Sequence, residues 1–169
     1  MHAQIHSLTL PGAMLRRGFW LYVWVVTSPA GELLYVGRTG DNSSPHASAP
    51  YTRMGQHLGP SKNQNALKRH LLSRGVSPED CQSFDLIAFG PLFDEIEKVE
   101  GLSRDDLMKR HIPVRDAVGA LEKVLAEELK AAGYDVLNSV SWKHPHDVEG
   151  WEAVRQAYLP RFPKLGRRA

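Results

Sequence analysis

Two short apolar runs, each carrying a tyrosine and separated by a tight turn, constrain the fold of this chain more than any other feature. The first is Leu21-Tyr22-Val23-Trp24-Val25-Val26 and the second Leu33-Leu34-Tyr35-Val36-Gly37. The first is rich in β-branched and aromatic residues, and both have the length of strands rather than of core-packing helices. Between them Ser28-Pro29-Ala30-Gly31 supplies turn-forming residues. Strands over residues 20–26 and 32–37 are therefore expected to pair as an antiparallel hairpin. Alternation sends Tyr22 and Trp24 to one face and Leu21, Val23 and Val25 to the other, and Tyr35 alternates with Leu34 and Val36 in the same way.

After the hairpin the chain runs through a loop of Gly, Asn, Ser, Pro and Ala over residues 38–50. A connection of that length inside a compact domain is often functional. A short helix is expected over 51–58, closed by Gly59-Pro60, and another over 65–74 with Ala66, Leu67, His70 and Leu71 inward. A third strand is expected over 84–89, with continuation to residue 92 left open. Ser103, followed by Asp105 and Asp106, has the form of a helix start. Pro113 is expected to interrupt that helix, so that the longest one runs over 114–132 and stops at Gly133. Residues 136–138 are expected to add an edge strand. A last helix over 147–159 carries Val148, Trp151, Val154, Arg155 and Tyr158 at helical spacing.

With 169 residues, 42% of them hydrophobic and 24% charged, the chain suits one domain with a single core. The lone cysteine, Cys81, excludes an internal disulfide and any cysteine cage for zinc within one chain, and it accords with a reducing, cytoplasmic setting. No apolar run approaches the ~20 residues of a membrane span, and residues 1–11 lack the order of a secretory signal. A formal net charge of +2 does not by itself point to nucleic acid. Arg161, Lys164, Arg167 and Arg168, with no acid among them, form either a solvated tail or an arm that contacts phosphate.

The residues around and beyond the hairpin carry chemistry. Arg38 follows Gly37 directly, Gly40 lies two further on, and Arg53-Met54-Gly55-Gln56-His57 puts a guanidinium and an imidazole one helical turn apart on a shared face. Phosphodiester hydrolysis needs an activated water, charge neutralisation on the phosphoryl oxygens and a stabilised leaving oxygen. Phenol and imidazole can handle water, and a guanidinium offers paired donors to phosphate. A divalent metal can stabilise the leaving oxygen, and a carboxylate is then needed to hold it. The long helix offers Glu122, Glu127 and Glu128, among which periodicity alone does not choose. Trp142-Lys143-His144-Pro145-His146-Asp147 resembles a metal cluster in composition but is expected to be a solvated loop.

In this order the residues resemble the GIY-YIG nuclease family over roughly residues 19–138. Tyr22 falls at the first-motif tyrosine, where Trp20-Leu21-Tyr22 stands in place of Gly-Ile-Tyr. Tyr35-Val36-Gly37 falls at the second motif and Arg53 at the catalytic arginine, with His57 one turn on. Glu122, Leu125 and Asn138 match the order of the glutamate, apolar residue and asparagine that follow. The resemblance implies an α/β (α+β) fold, a small, mainly antiparallel three-stranded sheet flanked by helices. It would comprise an extension over 1–18, the nuclease-like domain over 19–141 and a C-terminal helix and basic tail over 142–169. It further implies a metal-dependent endonuclease acting on DNA. Tyr22, Tyr35, Arg53 and His57 would be catalytic, Gly37, Arg38 and Asn138 would contact substrate or hold neighbouring backbone, and Glu122 would bind Mg²⁺ or Mn²⁺. A catalytically silent nucleic-acid-binding module, an RNA-cleaving member, and a protein-interaction domain whose tyrosines are only core are the alternatives.

Overall fold

A computed structural model describes residues 5–40, 44–98 and 100–166. Its centre is an antiparallel three-stranded sheet of β1 (Gly18–Ser28), β2 (Gly31–Arg38) and β3 (Ser83–Asp94), in the order β2-β1-β3. Four helices surround it: α1 (Pro50–Leu58), α2 (Ala66–Ser73), α3 (Arg104–Ala131) and α4 (Val148–Tyr158). The architecture is α+β. Arg167 and Arg168 lie outside the described residues.

The hairpin forms because both of its strands are apolar on both faces. Leu21, Val23 and Val25 of β1, with Leu34 and Val36 of β2, meet Val118, Leu121, Leu125 and Leu129 of α3 and Val154 and Tyr158 of α4. On the reverse face Tyr22, Trp24 and Val26, with Leu33 and Tyr35, meet Leu67 and Leu71 of α2 and the flank of α1. Helices thus cover both sides of the sheet, and β1, its middle strand, has no polar face. The phenol of Tyr158, itself buried, donates to the Leu21 carbonyl at 3.1 Å and pins α4 to β1.

Helix α3 corrects one expectation. It runs through Pro113 as one 28-residue helix instead of beginning after it. A proline inside a helix removes one backbone hydrogen bond and costs ~3 kcal/mol. Here Pro113 lies on the exposed side, where the freed carbonyl one turn back can meet water. Leu107 and His111 before it and Val118 after it are buried, so packing holds the helix on both sides of the break. The ends follow the sequence signals. Ser103 accepts from the Asp106 amide at 3.2 Å. At the other end Gly133 takes φ +82, and the amides of Tyr134 and Gly133 bond back to the Leu129 and Lys130 carbonyls, the paired closure that a left-handed glycine permits.

The other elements differ in detail. β3 extends to Asp94, beyond either expected end. Residues 136–138 form a single parallel bridge, Leu34 with Val136, and not a strand. The Leu34 amide donates to Asp135 at 2.8 Å and the Leu137 amide to Leu34 at 2.7 Å, which closes the outer edge of β2 over that stretch. Arg161 pairs with Glu32 at 2.9 Å, and Lys164 sits 4.8 Å from the Tyr134 ring. Both cations therefore rest on the protein's own surface. Among the described residues no helix is long and apolar enough to cross a membrane.

Candidate active site

β2 ends at Arg38, and groups from the two layers meet around that end in a cleft of about 460 Å³. Tyr22, Tyr35, Gly37, Arg38, Arg53, His57 and Glu122 all line it, together with Gly40, Gln56, Asn63, Gln64 and Ala66. Of the eight residues singled out from the sequence, Asn138 alone is absent from the lining. Its side chain is buried beside β2, donating to the Val36 carbonyl at 2.8 Å and accepting from the Val36 amide at 3.0 Å. It holds strand backbone in place and does not face the cleft.

The centre of the cleft is a hydrogen bond between two neutral rings. Tyr22 Oη lies 2.7 Å from His57 Nε2, and both side chains are buried. Burial holds the Tyr22 phenol well above its ordinary range, against the pull of the Arg53 charge. Burial likewise lowers His57 to about 4, and Arg53 pushes in the same direction. The imidazole is therefore uncharged at neutral pH. Its Nδ1 is buried with no hydrogen-bond partner among the described residues. Tyr35 packs edge-on against the His57 ring, centroids 5.0 Å apart, and burial pushes its phenol up to about 12.

Helix α1 presents the two motif residues as its four-residue spacing requires. Gln56, three residues from Arg53, accepts from Arg53 Nη1 at 3.0 Å and so orients one arm of that guanidinium. Arg38 reaches from the end of β2 and donates through Nη1 to the Gly40 carbonyl. Gly40 has φ +94, which only glycine adopts without strain.

Glu122 enters from α3. Its Oε2 lies 3.0 Å from Arg38 Nε, and its side chain is only 14% exposed. Burial raises this carboxyl to about 7, although Arg38 and Arg53 both favour its ionised form. Glu127 and Glu128 are exposed on the same helix, so Glu122 is the carboxylate of α3 that faces the cleft. Among the described residues no group of three or more His, Cys, Asp or Glu side chains is gathered as in a protein-built metal cage. His144 faces Asp116 at 3.4 Å and Asp147 caps α4 through the Gly150 amide, so the 142–147 segment uses its polar groups locally.

Sequence reasoning missed Gln56, Asn63 and Gln64 in the cleft wall and Trp142 beside it. Gln56 shares a helix face with Arg53, and that spacing is a usable signal. Trp142 stands in an irregular segment, where no periodicity marks it.

No family model matches the chain, and neither a curated protein nor a solved structure does.

Proposed function

We propose that this chain is a metal-dependent endonuclease that hydrolyses phosphodiester bonds in DNA, with the chemistry of the GIY-YIG family that its residue order resembles. One observation carries the reading. Side chains spread from residue 22 to residue 122 line a single cleft, and within it a phenol and an uncharged imidazole share a 2.7 Å hydrogen bond.

Tyr22 keeps its proton at neutral pH, so it acts as a relay and not as a phenolate. A water in the cleft donates to the Tyr22 oxygen while the phenol donates to His57 Nε2. As the water oxygen bonds to phosphorus, its proton passes to Tyr22 and the Tyr22 proton passes to His57. A phosphoryl group nearby favours the imidazolium that forms, because opposite charge raises the imidazole pKa. The bond from phosphorus to the leaving oxygen breaks, and that oxygen takes a proton from solvent. Arg53 and Arg38 meet the non-bridging oxygens, where charge grows. Tyr35 packs the imidazole into its orientation.

Glu122 suits a hard divalent ion. It is a cleft carboxylate whose ionised form is disfavoured by burial, so a bound cation would take the place of the proton. One carboxylate with waters and phosphate oxygens is a usual set for Mg²⁺ or Mn²⁺. Bound there, the ion would supply Lewis-acid stabilisation of the leaving oxygen. The free Cys81 thiol accords with a cytoplasmic setting.

The test is a panel of labelled duplex, single-stranded and branched DNA and RNA, incubated with the protein in Mg²⁺ or in chelator. The expected result is DNA cleavage that needs the ion and is lost in Glu122→Ala. Full-rate cleavage by Glu122→Ala would remove the metal role of that residue. Binding without cleavage on every substrate would leave the silent module as the correct reading.

A further inference from the structure

We propose that Trp142 is a positioning residue for Arg38, its indole face serving as the platform that aims the guanidinium into the cleft. This rests on the reading of Arg38 as a phosphate contact. The segment that holds Trp142 lies between α3 and α4 and returns across α3. There the indole is held on several sides. It lies against Gly119, where an added Cβ would come within 2.4 Å of Trp142 Cε2 and 2.7 Å of Cζ2. Its Nε1 donates to the Asp116 carbonyl at 3.0 Å. The Asp116 carboxylate in turn takes His144 at 3.4 Å, which ties the segment back to the helix just after Trp142, and it pairs with its neighbour Arg115 at 2.6 Å.

Against this fixed ring stands Arg38, with Cζ 4.8 Å from the ring centroid. The guanidinium is thus bounded by the Trp142 ring, the Glu122 carboxylate and the Gly40 carbonyl, and its side chain is 9% exposed. A carboxylate or amide in place of the ring would take up N–H donors. An aromatic face holds the cation through its π system without itself accepting any of its N–H groups. The arrangement also accounts for Gly119, a weak helix former inside a long helix. Any side chain there would lift the indole off α3.

Four variants test the proposal: Trp142→Leu, Trp142→Phe, Gly119→Ala and Arg38→Ala, with Trp142→Leu also combined with Arg38→Ala. The first readout needs no substrate. The Arg38 Nε–Hε resonance in ¹⁵N NMR should move and exchange faster with solvent in Trp142→Leu and Gly119→Ala. Trp142→Phe should restore slow exchange. Gly119→Ala raises intrinsic helicity, so its effect cannot come from a weakened helix. The second readout is DNA cleavage, where Trp142→Leu should lower kcat by about tenfold, with thermal unfolding near that of the parent and no further loss in the Arg38→Ala background. An Arg38 resonance unchanged in Trp142→Leu and Gly119→Ala overturns the proposal, as do losses that multiply in the double variant. If the protein cleaves no substrate, the resonance still decides whether Trp142 positions Arg38, and only the nuclease reading fails.

Discussion

Gly37 stands directly opposite Tyr22 in the β1–β2 ladder, and a methyl group at Gly37 would fall 2.6 Å from the Tyr22 hydroxyl oxygen. The glycine is needed here for space, since its φ lies outside the left-handed region. Gly37→Ala should therefore push the phenol away from His57 and break the 2.7 Å bond. Cleavage should fall about a hundredfold, the scale of one lost proton-transfer contact. Gly55→Ala is the control, because a Cβ there meets nothing within 4 Å. It should retain activity and gain up to ~1 kcal/mol from helix propensity. Single-turnover rates and unfolding curves of the two variants check this. Equal activity in both would remove the steric argument.

In the metal-free protein His57 and Glu122 should give stability opposite dependences on pH. The His57 midpoint is about 4 in the fold against 6.5 ordinarily. Its contribution is whole above pH 6.5 and is lost as pH falls through 4. The Glu122 midpoint is about 7 against 4.5. Its contribution is whole below pH 4.5 and is lost as pH rises through 7. Each change is on the order of 3 kcal/mol across its window, so between pH 4.5 and 6.5 the two oppose one another. Relative to the parent, Glu122→Gln should gain stability with rising pH over that window, and His57→Gln should lose it. Urea unfolding in chelator at pH 4.5, 5.5 and 6.5 measures both slopes. Parallel curves for all three proteins would contradict the two shifted midpoints.

The hairpin was legible in the sequence because its signal is local. Two apolar runs flank Pro and Gly, and alternation assigned Tyr22 and Leu21 to the faces where they are found. The helix ends at Ser103 and Gly133 were legible for the same reason, since caps depend on residues a few positions apart. Pro113 misled because a local rule met tertiary packing: Leu107 and His111, buried on one side of it, keep the helix continuous. Within the cleft, the spacing of Arg53 and His57 foretold a shared face. Periodicity did not separate Glu122 from Glu128, because the choice depends on which face of α3 reaches the end of β2. Trp142 left no trace for a related reason, its partners Gly119 and Arg38 being 23 and 104 positions away.

Asn138→Ala should cost stability before it costs chemistry. The buried amide satisfies both the N–H and the C=O of Val36, and alanine leaves that pair without partners. Two orphaned backbone groups correspond to a loss of about 2–4 kcal/mol. Asn138→Asp should be no better, because it keeps only the acceptor and places a charge in a buried site. The urea midpoint reports the loss. At a temperature where the variant remains folded its KM should match that of the parent, whereas a direct substrate contact would raise KM.

Arg53→Lys distinguishes charge from geometry in the cleft. Lysine keeps the cation but offers no planar fork, and it cannot meet Gln56 Oε1 while presenting paired donors to a phosphate. Its cleavage rate should fall nearly as far as that of Arg53→Ala, on the order of 10²–10³-fold for a lost charge-stabilising donor set. His57 should separate the two variants. The Arg53 charge helps to lower that imidazole, second to burial. In Arg53→Ala the His57 midpoint should rise from about 4 towards its ordinary value while staying below it, and in Arg53→Lys it should barely move. NMR titration of the imidazole ring reads this without any substrate. A lysine variant with near-parental cleavage would mean that charge alone suffices at this position and that the fork plays no part.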